Sequence, residues 1–269
     1  MHALLNIAVR AARAAGEIII RAMPRLESLQ VIAKGRNDYV SEVDRASERE
    51  IIEVIRHLYP NHAFLAEESG ESGVDTSETT WIIDPLDGTT NFLHGFPVYA
   101  VSIACRQKGR IEHGVVYDPT RGEIFTASRG AGAHLDNRRI RVSKQRQLDG
   151  ALIATGFPYS ANLEFTDAYL AMLRAVMTST SGVRRAGAAA LDLAYVACGR
   201  VDGFWEVGLH SWDTAAGSLL ITEAGGMVGT ITGAEYRQGG HIVAGTPRVY
   251  TALVETLRPH VPEALRAEE

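Results

Sequence analysis

Leu4, Ile7, Ala8, Ala11, Ala15, Ile18 and Ile19 recur at helical spacing and share one side of a helix over residues 3–22, with Pro24 just beyond its end. The pattern changes at Val31, and the polar run Lys34-Gly35-Arg36-Asn37-Asp38 reads as a mobile loop. Ser41 is placed to cap a second helix with Val43, Ser47, Ile51, Val54, Ile55 and Leu58 on one side and Pro60 after it. Ala63 to Ala66 is a short strand, and the polar run from Glu71 to Thr80 reads as an exposed loop. Three strands follow at Val98 to Arg106, Ile111 to Tyr117 and Glu123 to Ser128, with turns at Lys108-Gly109 and Asp118 to Gly122. Short turns make such strands antiparallel, and residues 130–136 add an edge strand.

Near residues 143–150 the texture becomes a polar connection, which sets a domain boundary between residues 1–145 and 146–269. Beyond it strands and helices alternate. Strands are expected at 151–155, 182–185, 201–206, 228–231 and 241–244, and helices at 164–177, 188–198 and 212–224. A final helix opens at Pro247. This organisation predicts an α+β N-terminal domain with an antiparallel sheet and an α/β C-terminal domain with a mixed sheet.

The stretch with most chemistry is Trp81-Ile82-Ile83-Asp84-Pro85-Leu86-Asp87-Gly88-Thr89-Thr90-Asn91-Phe92. It reads as a buried strand, a tight turn carrying two carboxylates, and the first turn of a helix that Thr89, Thr90 or Asn91 can cap. Gly88 lets another group approach the backbone closely. Free backbone N–H groups beside paired carboxylates suit divalent metal ions and a phosphate together. Glu67 ends a strand before a glycine-containing turn. Asp44 and Asp213 each open a helix, where capping is the ordinary role of an acid. Singly, each acid has a structural explanation; gathered, they need a cation, and oxygen ligands without His or Cys favour Mg²⁺ over zinc.

Composition narrows the class. The 269 residues are 46% hydrophobic and 22% charged, as in a globular enzyme. A formal charge of −5 argues against a nucleic-acid surface. Two cysteines, Cys105 and Cys198, lack metal-ligand spacing and read as buried thiols in a reducing compartment. No apolar run approaches the roughly 20 residues that cross a bilayer, and no signal peptide is evident, so a cytoplasmic location is expected. His94, His210 and His241 have no nucleophile at a catalytic spacing, and Arg184-Arg185 suits an anionic substrate, solvent or a partner subunit. The run Gly130-Ala131-Gly132-Ala133 reads as a strand bend.

Asp84 to Phe92 resembles the first signature of the inositol monophosphatase family, and Trp212-Asp213-Thr214-Ala215-Ala216-Gly217, continuing to Glu223-Ala224-Gly225-Gly226, resembles the second. Glu67-Glu68-Ser69-Gly70 matches the family's acidic pair, and Asn37 to Asp44 its N-terminal activating segment. The resemblance spans about residues 5–258. It implies a layered αβαβα fold and a Mg²⁺-dependent phosphomonoesterase. Glu67, Asp84 and the Leu86 carbonyl would hold one metal, and Asp84, Asp87 and Asp213 a second; Glu67 with waters would hold a weaker third. Thr89, supported by Asp44, would orient the attacking water, and the Gly88 and Thr89 amides would cradle phosphate. Asp87, Asp213, Glu206 and the backbone at Ala189 would contact substrate hydroxyls. The implied substrate is inositol 1-phosphate or a related small sugar phosphate, with fructose 1,6-bisphosphate, histidinol phosphate or a nucleotide 3′-phosphate as alternatives. Lithium sensitivity and a homodimer are family expectations. A regulatory binding role on the same scaffold is the rival from another class.

Overall fold

The computed structural model describes residues 2–35, 38–74, 77–158 and 160–267. In chain order, helix α1 (Ala3–Ala22) leads to strands β1 (Val31–Gly35) and β2 (Asp38–Ser41), helix α2 (Glu42–Leu58) and strands β3 (Ala63–Ala66), β4 (Gly70–Ser72) and β5 (Thr79–Asp87). The short helix α3 (Thr89–Leu93) precedes β6 (Ala100–Gln107), β7 (Arg110–Asp118), β8 (Glu123–Ser128), β9 (Gly132–Leu135) and β10 (Arg138–Arg139). Then come β11 (Leu152–Thr155), α4 (Thr166–Ser179), β12 (Gly182–Arg184), α5 (Ala189–Ala197), β13 (Gly203–Leu209) and α6 (Ser211–Glu223). The chain closes with β14 (Met227–Gly229), β15 (Gly240–Gly245), α7 (Pro247–Leu257) and α8 (Glu263–Ala267).

Eight strands form the larger sheet in the order β10-β9-β8-β7-β6-β5-β3-β4, and five form the second, β12-β11-β13-β15-β14. The layering is αβαβα. Helices α1 and α2 cover one face of the large sheet, where Ile7, Ala11, Ala15, Ile19, Ile51 and Ile55 join Trp81, Ile83 and Val101 in one core. Helices α5 and α6 lie between the sheets, and α4 and α7 cover the far face of the small one. Seven of the nine α5 residues are apolar and buried, as expected for a helix covered all round. Each fully buried Ile or Leu in these cores contributes about 1.5–3 kcal/mol of transfer free energy.

Several expectations are corrected. The polar segment after Val31 is a hairpin of β1 and β2 rather than a loop, because cross-strand pairing from Val31↔Ser41 to Gly35↔Asp38 gives its backbone partners. Arg36 and Asn37 at its tip lie outside the described residues. The stretch after Glu71 is partly strand, since β4 pairs with β3 and β5 begins at Thr79. Asp84 and Asp87 do not sit in a turn. Both belong to β5, where a bulge between them accommodates Pro85 without a broken ladder. No side chain caps α3; Gly88 occupies that position in a left-handed conformation, φ 92°. A 3₁₀ segment, Ser160–Phe165, replaces the expected start of α4, and the helix expected to open at Pro247 does so as α7, with the five-residue α8 after it.

Helix α6 approaches the large sheet most closely over β7. A Cβ built on Gly114 would stand 3.0 Å from Ala216 Cα and 3.0 Å from its carbonyl oxygen, so any side chain there pushes α6 outward. Gly114→Val is therefore expected to destabilise the fold by about 1–3 kcal/mol, read as a lower urea midpoint; an unchanged midpoint would show that this contact yields freely.

Candidate active site

Among the paired strands of the large sheet, β3 and β5 run parallel, with Ala66 opposite Ile83. Parallel neighbours end on the same side, so Glu67 leaves β3 beside Asp84. The Glu67 amide extends the ladder, donating to the Ile83 carbonyl at 3.1 Å. Beneath these ends Trp81 is fully buried and its indole N–H donates to His62 Nδ1 at 3.0 Å. Trp212 supports the site from α6, its carbonyl accepting from Ser102 Oγ at 3.1 Å.

Backbone amides hold the carboxylates. Asp84 Oδ1 accepts from Leu86 N at 3.0 Å, Asp87 Oδ2 from Ala190 N at 2.7 Å, and Asp213 Oδ2 from His210 N at 2.6 Å. Asp44 Oδ2 accepts from Ser41 N at 2.8 Å, completing the capping box that starts α2. The capping roles of Asp44 and Asp213 are thus real, and they leave each acid a second oxygen. Asp44 Oδ1 uses its own to accept from Thr89 Oγ1 at 2.7 Å. The same hydroxyl lies 3.1 Å from the Leu86 carbonyl, but its single hydrogen serves the shorter contact. Thr89 Oγ1 therefore presents a lone pair.

Burial and mutual repulsion dominate the electrostatics. Burial, then the charges of Glu67, Asp87 and Asp213, push the Asp84 carboxyl well above the usual carboxylate range. Burial pushes Asp87 up to about 7, with Glu67 adding to the shift and the Ala190 amide opposing it. Burial and then Asp87 raise Asp213 strongly, although its side chain keeps some access to solvent. Asp44 is raised by burial, against hydrogen bonds from Ser41 and Thr89. Among the described residues no group of three His, Cys, Asp or Glu side chains is arranged to hold a metal ion as it stands. Glu67, Asp87 and Asp213 stand close enough to Asp84 for their charges to raise its proton affinity. Hard oxygen donors crowded by like charge fit a divalent cation such as Mg²⁺.

Gly88 has two reasons to be glycine. Its φ is 92°, and a Cβ would meet the Val98 and Gly187 carbonyl oxygens at 2.9 and 3.2 Å. Asn91 ties the same corner by donating to Val98 and Ala186 at 2.8 and 2.9 Å. On the small-sheet side, Asp87 faces the amides of Ala189, Ala190 and Leu191 at the start of α5. Glu206 is raised by burial and then by Asp192 and Asp213, while Arg185 lowers it. A Cβ at Gly156 would overlap the Glu206 carboxylate.

The inositol monophosphatase family model matches residues 1–262. The chain belongs to this family. It is 54% identical over 270 residues to the Nus factor SuhB of Pseudomonas aeruginosa, covering 99% of this chain and 100% of that protein. The crystal structure of the extragenic suppressor protein suhB from Bartonella henselae superposes with a TM-score of 0.93 at 46% identity, covering 97% of this chain and 100% of that one. An inositol monophosphatase from Anabaena superposes at 0.82 with 38% identity and 97% coverage of both chains. Family membership carries phosphatase chemistry, metal dependence and a small phosphate-ester substrate at the level of the family.

Two acids escaped the sequence reading. Glu48 is buried on α2 and accepts from Glu68 N at 2.8 Å, so it fixes the turn after Glu67. Its signal was an acid on the same stripe as Ile51 and Ile55. Asp192, a carboxyl inside the otherwise apolar α5, is pushed well up by burial and by Asp87. Other candidates fall into structural roles. His210 stacks on Trp212 at 4.6 Å, the buried His241 Nδ1 accepts from Gly208 N, and the Glu223 carboxylate grips the amides of Gly130 and Gly132. His94 is the residue that ends α3, and Arg185 lies 5.0 Å over the Phe157 ring. Cys105 and Cys198 are free thiols, the first buried and the second half-buried.

Relief of repulsion yields a stability test. Asp84→Asn keeps an acceptor for Leu86 N but removes one charge, so in EDTA it is expected to raise Tm by a few degrees, from about 1 kcal/mol. Where a divalent cation raises the Tm of the natural chain, the variant is expected to show a smaller rise. A lower Tm in EDTA with full Mg²⁺ stabilisation would contradict the repulsion account.

Proposed function

We propose that the protein hydrolyses inositol 1-phosphate, or a closely related small sugar phosphate, to the free alcohol and phosphate. The observation that carries this reading is the Asp44–Thr89 hydrogen bond beside the gathered Glu67, Asp84, Asp87 and Asp213. Membership of the inositol monophosphatase family supports it. Glu67, Asp84, the Leu86 carbonyl, Asp87 and Asp213 are the residues that would hold Mg²⁺. When bound, Mg²⁺ neutralises phosphate charge and makes water a stronger acid near neutral pH.

The protein's own groups position the reactants. Thr89 gives its hydrogen to Asp44 Oδ1, so Oγ1 accepts from the attacking water and aims it at phosphorus. The amides of Gly88 and Thr89 receive phosphate oxygens. Helix α3 has only five residues, so these N–H groups act as individual donors rather than through a long helix dipole. Glu206 and Asp213 face the ring hydroxyls, and the backbone at Ala189 completes that side. Fructose 1,6-bisphosphate, histidinol phosphate and a nucleotide 3′-phosphate make use of the same signatures and are the alternatives. Inhibition by lithium and a homodimeric assembly in the cytoplasm belong to this proposal; no described helix is long and apolar enough to cross a membrane.

The name Nus factor SuhB, borne by a relative 54% identical to this chain, supports a second role in binding a macromolecular partner. The net charge of −5 favours a protein over a nucleic acid as that partner. Binding that survives loss of the site acids would separate this role from catalysis; binding that disappears with them would merge the two.

With Mg²⁺ present, Asp87→Asn and Asp213→Asn are expected to abolish phosphate release almost completely, and EDTA to do the same to the natural chain. Natural activity in both variants would overturn the assignment. Thr89→Val is expected to lower kcat by about 100-fold with little change in KM, as fits a group that positions water. Comparing kcat/KM across the four substrate classes identifies the preferred ester.

A further inference from the structure

A cavity with a mixed polar and apolar lining lies far from the carboxylates. Strand β5 pairs Asp87 with Ala100 at one end and Thr79 with Gln107 at the other. At about 3.3 Å per residue those ends stand roughly 26 Å apart. Around Gln107, where the β6–β7 turn meets the start of α1, a cavity of about 900 Å³ opens.

Its lining is the reverse of the catalytic end. Lys108, Arg110 and Arg129 meet a single acid, Glu112, on a chain whose net charge is −5. Glu112 lies 3.6 Å from Arg129 and 3.9 Å from Arg110, so one carboxylate serves two guanidinium groups. Arg129 is pinned by bonds from Nε and Nη2 to the Ile111 carbonyl at 2.9 and 2.6 Å. The Lys108–Glu78 pair, at 3.5 Å and about three-quarters exposed, is screened by solvent and weak. His2, His113 and His134 complete the polar wall. His2 stacks on His113 with ring centroids 4.4 Å apart, and His113 Nδ1 lies 2.8 Å from Ser128 Oγ. His2 also caps α1, whose first turn carries no acidic residue, so the positive end of a 20-residue helix is left uncompensated at the cavity wall.

We infer that this cavity is a binding site for a small polyanion bearing two or more carboxylate or phosphoryl groups. Three cations sharing two acids at the rim, imidazole groups on the wall and a helix end without an acid all select negative oxygens. The inference stands on its own observations and does not depend on the catalytic reading.

Citrate and pyrophosphate, titrated into the protein stripped of metal ions on a chelating resin and free of soluble chelator, test it and separate the two oxyanion sources. Without a divalent cation the catalytic end repels anions, so it does not compete. Imidazole resonances of His2, His113 and His134, followed by NMR, are expected to shift saturably with at least one probe. Lys108 and Arg110 are exposed, at 77% and 68%, so Lys108→Gln with Arg110→Gln leaves the core intact. That double variant is expected to weaken binding by about tenfold, the scale of two partly screened charge contacts. No shift of these resonances with either probe at about 10 mM, well above the submillimolar range expected for such a site, overturns the proposal. So does an identical titration in the double variant.

Discussion

Repulsion among buried carboxylates is the constraint around which the molecule is arranged. Burial raises the proton affinity of Asp84, Asp87 and Asp213, and neighbouring charge adds to it: Glu67, Asp87 and Asp213 act on Asp84, Glu67 on Asp87, and Asp87 and Glu67 on Asp213. Such a cluster persists in a folded chain only if other groups stabilise it. Here the stabilising groups are backbone N–H donors. Asp44 caps α2, Asp87 receives the amides that open α5, and Asp213 receives the amide preceding α6. Three helices thus direct their positive ends at one place, which offsets part of the charge before any cation binds.

The sheet supplies the convergence. One parallel pair, β3 with β5, places Glu67 next to Asp84, and the β5 bulge keeps Asp84 and Asp87 in one strand. Helix α6 reaches the same point from more than a hundred residues later because its small residues pack closely on β7. The core between the sheets is therefore also the device that sets the distance from Asp213 to Asp84. A stability defect in that core and a defect in the site are expected to travel together.

A backbone amide engages one oxygen of Asp84, Asp87 and Asp213 and leaves the other for a further partner. In Asp44 one oxygen closes the capping box while the other holds Thr89. Capping a helix therefore does not exhaust what this carboxylate can bind. Use of both oxygens explains the choice of carboxylate over amide or hydroxyl: neither of those offers two acceptor oxygens and a charge.

The sequence by itself determined the helices with clear periodicity, most of the strands, and the acids that the fold brings together, because the patterns involved are local. Leu4 to Ile19 repeats along one face, and Asp84 to Phe92 and Trp212 to Gly217 are contiguous signatures. It did not disclose Glu48 or Asp192 as part of the site, the hairpin at Val31, or the placing of Asp84 and Asp87 within β5. Those depend on pairing between distant segments, where burial and neighbouring charge decide what a carboxyl does. The cavity beside His113 is the same kind of fact. His2, Lys108 and Arg129 are unremarkable in sequence, and only the packing of α1 against the end of the large sheet makes them neighbours.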